Sequence, residues 1–108
     1  MGVADKTVVV LYSEFGRTCY QNGTPGQPSV GTDHGHGSNT LVFGGPVSAG
    51  VVGASPSASE LRDSDYNAVL PKVDFRDIFS DVLRWLGVTP GEIFDDPSYH
   101  SSALGLFD

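Results

Sequence analysis

Apolar positions along this chain fall into three blocks separated by long polar stretches. The first is Val8-Val9-Val10-Leu11-Tyr12, which stops abruptly at Ser13-Glu14. An unbroken run of this kind reads as a strand apolar on both faces, here Thr7–Tyr12, as in a buried parallel sheet. The second block, Thr40-Leu41-Val42-Phe43, predicts another strand, ended by Gly44-Gly45-Pro46. Ala49–Gly53 would add a short strand or hairpin arm. The third block has a different period. Phe75, Ile78, Phe79, Val82, Leu83 and Leu86 recur at helical spacing and form one stripe of an amphipathic helix. Asp74 suits the N-cap, Asp77 adds negative charge to the first turn, and Arg84 sits in the last. Gly87 supplies the residue beyond the C-cap. The stripe reads as core packing, with a partner's groove as the alternative.

The polar stretches read as connections. Cys19–Val30 carries Asn-Gly, Pro-Gly and Gln-Pro pairs and predicts an irregular loop. Asn22-Gly23-Thr24 matches a glycosylation sequon, but the Asn-Gly pair reads first as a turn. Ala54–Ser59 looks like a small-residue linker, and Glu60–Leu70 like a loop. Thr89-Pro90-Gly91-Glu92 has the capping-box pattern, with proline at the first helical position. Two or three strands and one good helix make a thin inventory. A sheet so furnished keeps a face and an edge uncovered, so self-association or a partner chain completing the sheet is expected.

Composition narrows the function classes. The 108 residues hold 14 Gly and 7 Pro and are 39% hydrophobic, so one loop-rich domain spanning residues 1–108 is expected. The net charge of −7, with six basic residues that do not cluster, lacks the footprint of a nucleic-acid binder. An anionic membrane would repel such a surface. No apolar run is long enough to span a bilayer, and no secretory-signal pattern opens the chain. Cys19 is the single cysteine, so no internal disulfide forms; it reads as a small buried filler rather than a reactive thiol.

Candidate chemistry sits at two polar knots. Asp33-His34-Gly35-His36 offers ligands suited to zinc, manganese or iron, with glycines that let the backbone approach closely. The alternative is a polar loop whose Asp and His side chains cap turns. Ser13-Glu14-Phe15-Gly16-Arg17-Thr18 lies at the carboxyl end of the first strand, where open α/β sheets bind ligands. There Glu14 can serve as a base or metal ligand and Arg17 as a bidentate anion clamp. The alternative is an internal Glu14–Arg17 ion pair. The knot at Asp33 can fold back beside this edge. P-loop, dinucleotide and nucleophile-elbow motifs are missing.

Taken in order, Val-Val-Val-x-x-Ser-Glu-Phe-Gly-Arg-Thr, Gly-Thr-Asp-His-Gly, Leu-Val-Phe-Gly-Gly-Pro-Val and Val-Asp-Phe-Arg-Asp-Ile-Phe resemble the carboxy-terminal part of the DUF1501 proteins. That bacterial family is itself similar to the alkaline phosphatase and sulfatase superfamily. The resemblance implies an α/β fold: part of an alkaline-phosphatase-like core, with a mostly parallel sheet and at least one packed helix, Phe75–Leu86. It implies that the chain is the carboxy-terminal part of a larger fold, and that its relatives are often exported. It also implies a half-site for metal-assisted hydrolysis of phosphate or sulfate esters. Glu14, Asp33, His34 and His36 would hold a divalent metal such as zinc, manganese or calcium, and Arg17 and Thr18 would bind substrate. Phe15 stands where the superfamily would place a ligand, and the nucleophile half has no counterpart in this chain. The alternative is a non-catalytic assembly module that keeps the sheet and helix.

Overall fold

A computed structural model describes residues 2–63 and 68–107. The chain divides into two compact units. One comprises Met1–Val10, Val42–Val52 and Val73–Asp108, the other Leu11–Leu41 and Gly53–Lys72.

Strands β1 (Val8–Leu11) and β2 (Leu41–Gly44) pair as a two-stranded antiparallel ribbon, which apart from its end residues Leu11 and Leu41 belongs to the first unit. Both expected strands therefore form and lie side by side, but the expected mostly parallel sheet does not exist. The reason is in the connection. Parallel neighbours need a crossover of a dozen or more residues, usually a helix. Residues 12–40 are too rich in glycine, proline and turn pairs to make one, and they form turns and isolated bridges instead. The strands are also not buried on both faces. Val8, Val10 and Val42 are half-covered, whereas Val9, Leu11, Leu41 and Phe43 are exposed. The expected third arm, Ala49–Gly53, forms no strand; just before it, Val47 makes an isolated antiparallel bridge with Phe107, and the Ser48 amide donates to the Leu106 carbonyl at 2.9 Å.

Helix α2 (Phe75–Trp85) forms where its period predicts; α1 is the shorter helix of the second unit described below. Asp74 caps it by accepting from the Arg76 amide at 2.9 Å. At the other end the Val88 amide donates to Leu83 and the Gly87 amide to Arg84. That paired arrangement requires a left-handed residue, and Gly87 has φ +79°. Thr89 then opens the 3-10 turn Pro90–Glu92 without a side-chain cap, so the proline rather than a capping box starts it.

The helix buries the side its sequence did not advertise. Phe75 and Leu86, at the ends of the apolar stripe, are 63% and 60% exposed, while Ser80 is 0% and Asp81 6% exposed. Asp77, Ser80, Asp81 and Arg84 make a polar stripe with the same helical spacing, and the carboxy-terminal segment is strapped to it. Asp81 accepts from the amides of Leu104 and Leu106, both at 3.1 Å, and from Arg84 at 2.8 Å. Asp77 accepts from the Tyr99 hydroxyl at 2.7 Å and the Ser102 amide at 2.8 Å. Burial pushes the Tyr99 hydroxyl above its ordinary pKa. Trp85, on the flank, stacks on Phe107. The physical reason is the irregular course of residues 100–106, whose amides have no helix or strand ladder to join. An irregular segment must find partners for its amides, and carboxylates on a rigid helix supply them.

In the second unit, α1 (Ala58–Asp63) replaces what reads as linker and loop. Ser57 and Glu60 cap it reciprocally: the Ser57 amide donates to Glu60 at 2.7 Å and the Glu60 amide to the Ser57 hydroxyl at 3.2 Å. Ser-x-x-Glu is the capping-box signature, present in the sequence at this point. Lys72 closes on Glu60 at 2.9 Å. The remainder of the expected Glu60–Leu70 loop includes residues 64–67, which lie outside the described residues.

Candidate functional site

The two polar knots come together within the second unit. The Gly16 amide donates to the His36 carbonyl at 2.9 Å and the Gly35 amide to the Gly16 carbonyl at 2.8 Å. Arg17 and His34 form an antiparallel bridge, and the Thr18 amide donates to the Asp33 carbonyl at 3.1 Å. A second bridge pairs Asn22 with Gly31. The chain between them turns at Thr24–Gln27, where Pro25-Gly26 occupies the corner, whereas Asn22-Gly23 is a bend that begins the excursion. Close approach of the backbones sets the registration. A Cβ on Gly16 would collide with the Gly37 carbonyl, and one on Gly35 would lie 2.8–2.9 Å from the Arg17 carbonyl group.

The side chains sort into anchors and free groups. Thr18 is an anchor: its hydroxyl donates to the Tyr20 carbonyl at 3.3 Å and accepts from the Asp33 amide at 3.0 Å. The Asp33 carboxylate is held by the Asn22 side-chain amide. Phe15, which stands where the resemblance calls for a ligand, serves instead as a platform. The His34 ring stacks on it with centroids 3.9 Å apart, and the Arg17 guanidinium lies 5.6 Å from its centre. Arg17 donates to the Thr32 carbonyl at 3.1 Å and makes no ion pair with Glu14. Glu14 accepts from its neighbour Ser13 at 3.3 Å. His36 is exposed and contributes its carbonyl to the bridge. Cys19 is exposed too, not the buried filler its context implies.

This arrangement presents a guanidinium and an imidazole on adjacent positions of one exposed rim, over an aromatic floor. It suits an anion. For a cation it is less complete. Among the described residues no group of three or more His, Cys, Asp or Glu side chains is placed to hold a metal ion. Asp33 is engaged by Asn22, and the face of the His34 ring is covered by Phe15. Asn22 has no warning in the sequence. Its partner in space is eleven positions away, across a loop whose path spacing does not set.

A two-stranded antiparallel ribbon, one capped helix strapped by polar contacts and a bridged loop with a basic rim define a small mixed α and β protein. The chain belongs to the DUF1501 family, described as a protein of unknown function, whose model matches residues 1–102. No curated protein and no solved structure matches it. No helix among the described residues is long and apolar enough to cross a membrane.

Proposed function

We propose that this chain is an assembly module, a non-catalytic component that gains its core by joining another polypeptide. The carrying observation is the exposed apolar ribbon. Val9, Leu11, Leu41 and Phe43 are all open on two strands that alone are marginal in water, whereas among the described residues the buried aliphatic side chains outside proline are those of Ala68 and Leu106. In the pure protein the available occupant is a second copy, through strand addition or face-to-face packing of the ribbon.

Sedimentation velocity over a concentration series tests this. The expected result is reversible association that Val9→Lys and Phe43→Lys both weaken, with binding of a hydrophobic dye by the dissociated chain. A single monomer at all concentrations that binds no dye overturns it.

The bridge between Arg17 and His34 favours a second reading, in which the assembled protein handles ester anions as the alkaline phosphatase and sulfatase superfamily does. Arg17 would clamp a phosphate or sulfate oxygen, and a ring N–H of His34 would add a second donor. Any divalent metal would be shared between Glu14, Asp33, His34 or His36 and donors from the partner polypeptide. Titration with inorganic sulfate, followed by amide shifts at residues 15–18 and 32–36, separates the readings. Shifts lost in Arg17→Ala support the anion site, and no shift at millimolar sulfate rejects it.

A further inference from the structure

Neither proposed role involves Asn22 itself. Asn22 precedes Gly23, which is exposed, has φ +73° and brings no side chain to obstruct its amide nitrogen. The Asn22 side chain is gripped at both ends. The Gly31 amide donates to its Oδ1 at 3.0 Å, and its Nδ2 donates to Asp33 Oδ1. The Asn22 backbone is fixed as well, its amide donating to the Gly31 carbonyl at 2.8 Å. Among the described residues no hydrogen bond ties down the Gly23 amide.

The two bonds hold the atoms on which charge develops when this amide is attacked. When a nucleophile adds to Asn22 Cγ, negative charge develops on Oδ1, and the Gly31 amide already points at that atom. As Nδ2 takes up a proton to leave, positive charge develops beside the Asp33 carboxylate. We propose that Asn22-Gly23 is a self-modification site, at which the folded loop promotes succinimide formation and deamidation. The Gly23 nitrogen gives its proton to solvent base and bonds to Asn22 Cγ. The Cγ–Nδ2 bond breaks, and Nδ2 leaves as ammonia with one proton from solvent. Water then opens the ring at either carbonyl, leaving aspartate or isoaspartate at position 22. No oxidant or cofactor is involved.

The product reverses the local electrostatics. The donor that holds Asp33 becomes a second carboxylate facing it, and the isoaspartate route adds a backbone atom at the Asn22–Gly31 bridge. The rim carrying His34 is next to Asp33 in the chain, so conversion at Asn22 loosens the site with age. This inference does not depend on what the site binds.

The test follows the purified full chain in mildly alkaline buffer by peptide mass mapping and an isoaspartate assay. Conversion at Asn22 is expected about tenfold faster in the folded chain than in the same chain unfolded in urea, a small part of what an oxyanion donor contributes in enzymes. Gly31→Pro removes the donating N–H where the nearest atom is Asn22 Oδ1 at 3.9 Å from a new Cβ, and is expected to return the rate to the unfolded value. Asp33→Asn is expected to slow it as well, and serves if Gly31→Pro fails to fold. Conversion no faster in the folded chain than in urea, or unchanged in a folded variant, overturns the proposal and makes the same hydrogen bonds protective.

Discussion

The strap on helix α2 and the bridged loop at residues 16–36 solve one problem in opposite ways. Each holds an irregular segment whose backbone amides need partners. In the strap, helix side chains supply them: buried Asp81 takes two amides of the tail and half-buried Asp77 a third. In the loop, the backbone satisfies itself through bridges, with Thr18 and Asn22 as clips. The consequence is a division of labour. A side chain committed to holding the fold, as Asp81 is, has no capacity left for a ligand. A loop held by its own backbone keeps Arg17, His34 and His36 at the surface, available for binding.

That contrast can be broken from either end. The largest effect is expected from Asp81→Ala, which strands two tail amides and Arg84 and should cost about 3 kcal/mol in urea unfolding. Asp81→Asn, which keeps an acceptor, should cost less. Gly16→Ala comes next. Its methyl group would displace the Gly37 carbonyl, at a cost of about 2 kcal/mol that falls on the loop. Amide exchange should quicken across residues 16–36 while α2 keeps its protection. Phe79→Ala should cost about 1–2 kcal/mol, below the 3–5 kcal/mol usual for a fully buried phenylalanine, because Phe79 is half-exposed. A loss in the upper range would mean that its stripe is covered in solution. Arg17→Ala should move stability by no more than about 0.5 kcal/mol while abolishing the sulfate response.

The smallest expected effect is a pH dependence at α1. The Ser57 amide, and after it Lys72, hold the Glu60 carboxyl down from 4.5 to about 2. Because the folded value is depressed, the contribution of this capping box is complete above pH 4.5 and is lost as pH falls through about 2. Amide shifts of α1 should titrate in that window, and Lys72→Met should move the midpoint upward. Asp74 and Asp96 follow the same sign, held down by Arg76 and by Ser98 respectively.

Local signals carried as far as local physics reaches. The period of Phe75–Leu86, the Asp74 cap and the Gly87 stop are properties of a few neighbouring residues, and helix α2 follows them. Ser57-x-x-Glu60 was equally legible as a capping box, yet the small polar residues around it hide the helix it starts. The two strands were legible as strands, but a run of four apolar residues says nothing about the direction of its neighbour. For the site, the polar knots were visible as residue types, and their meeting needed the path of residues 19–30, which spacing does not fix.

By itself the sequence determined the positions of β1, β2 and α2, the acidic surface and the family. These rest on periodicity, caps and motif order, all short-range. Only the tertiary structure decided that the ribbon is antiparallel, because pairing direction depends on whether the connection can form a crossover. It alone decided that α2 buries Ser80 and Asp81 while its apolar ends stay open, because unpaired tail amides compete for the helix surface. And it alone placed Asn22 against Asp33 and His34 on Phe15, because contacts between distant residues follow from the fold of the loop and not from their spacing along the chain.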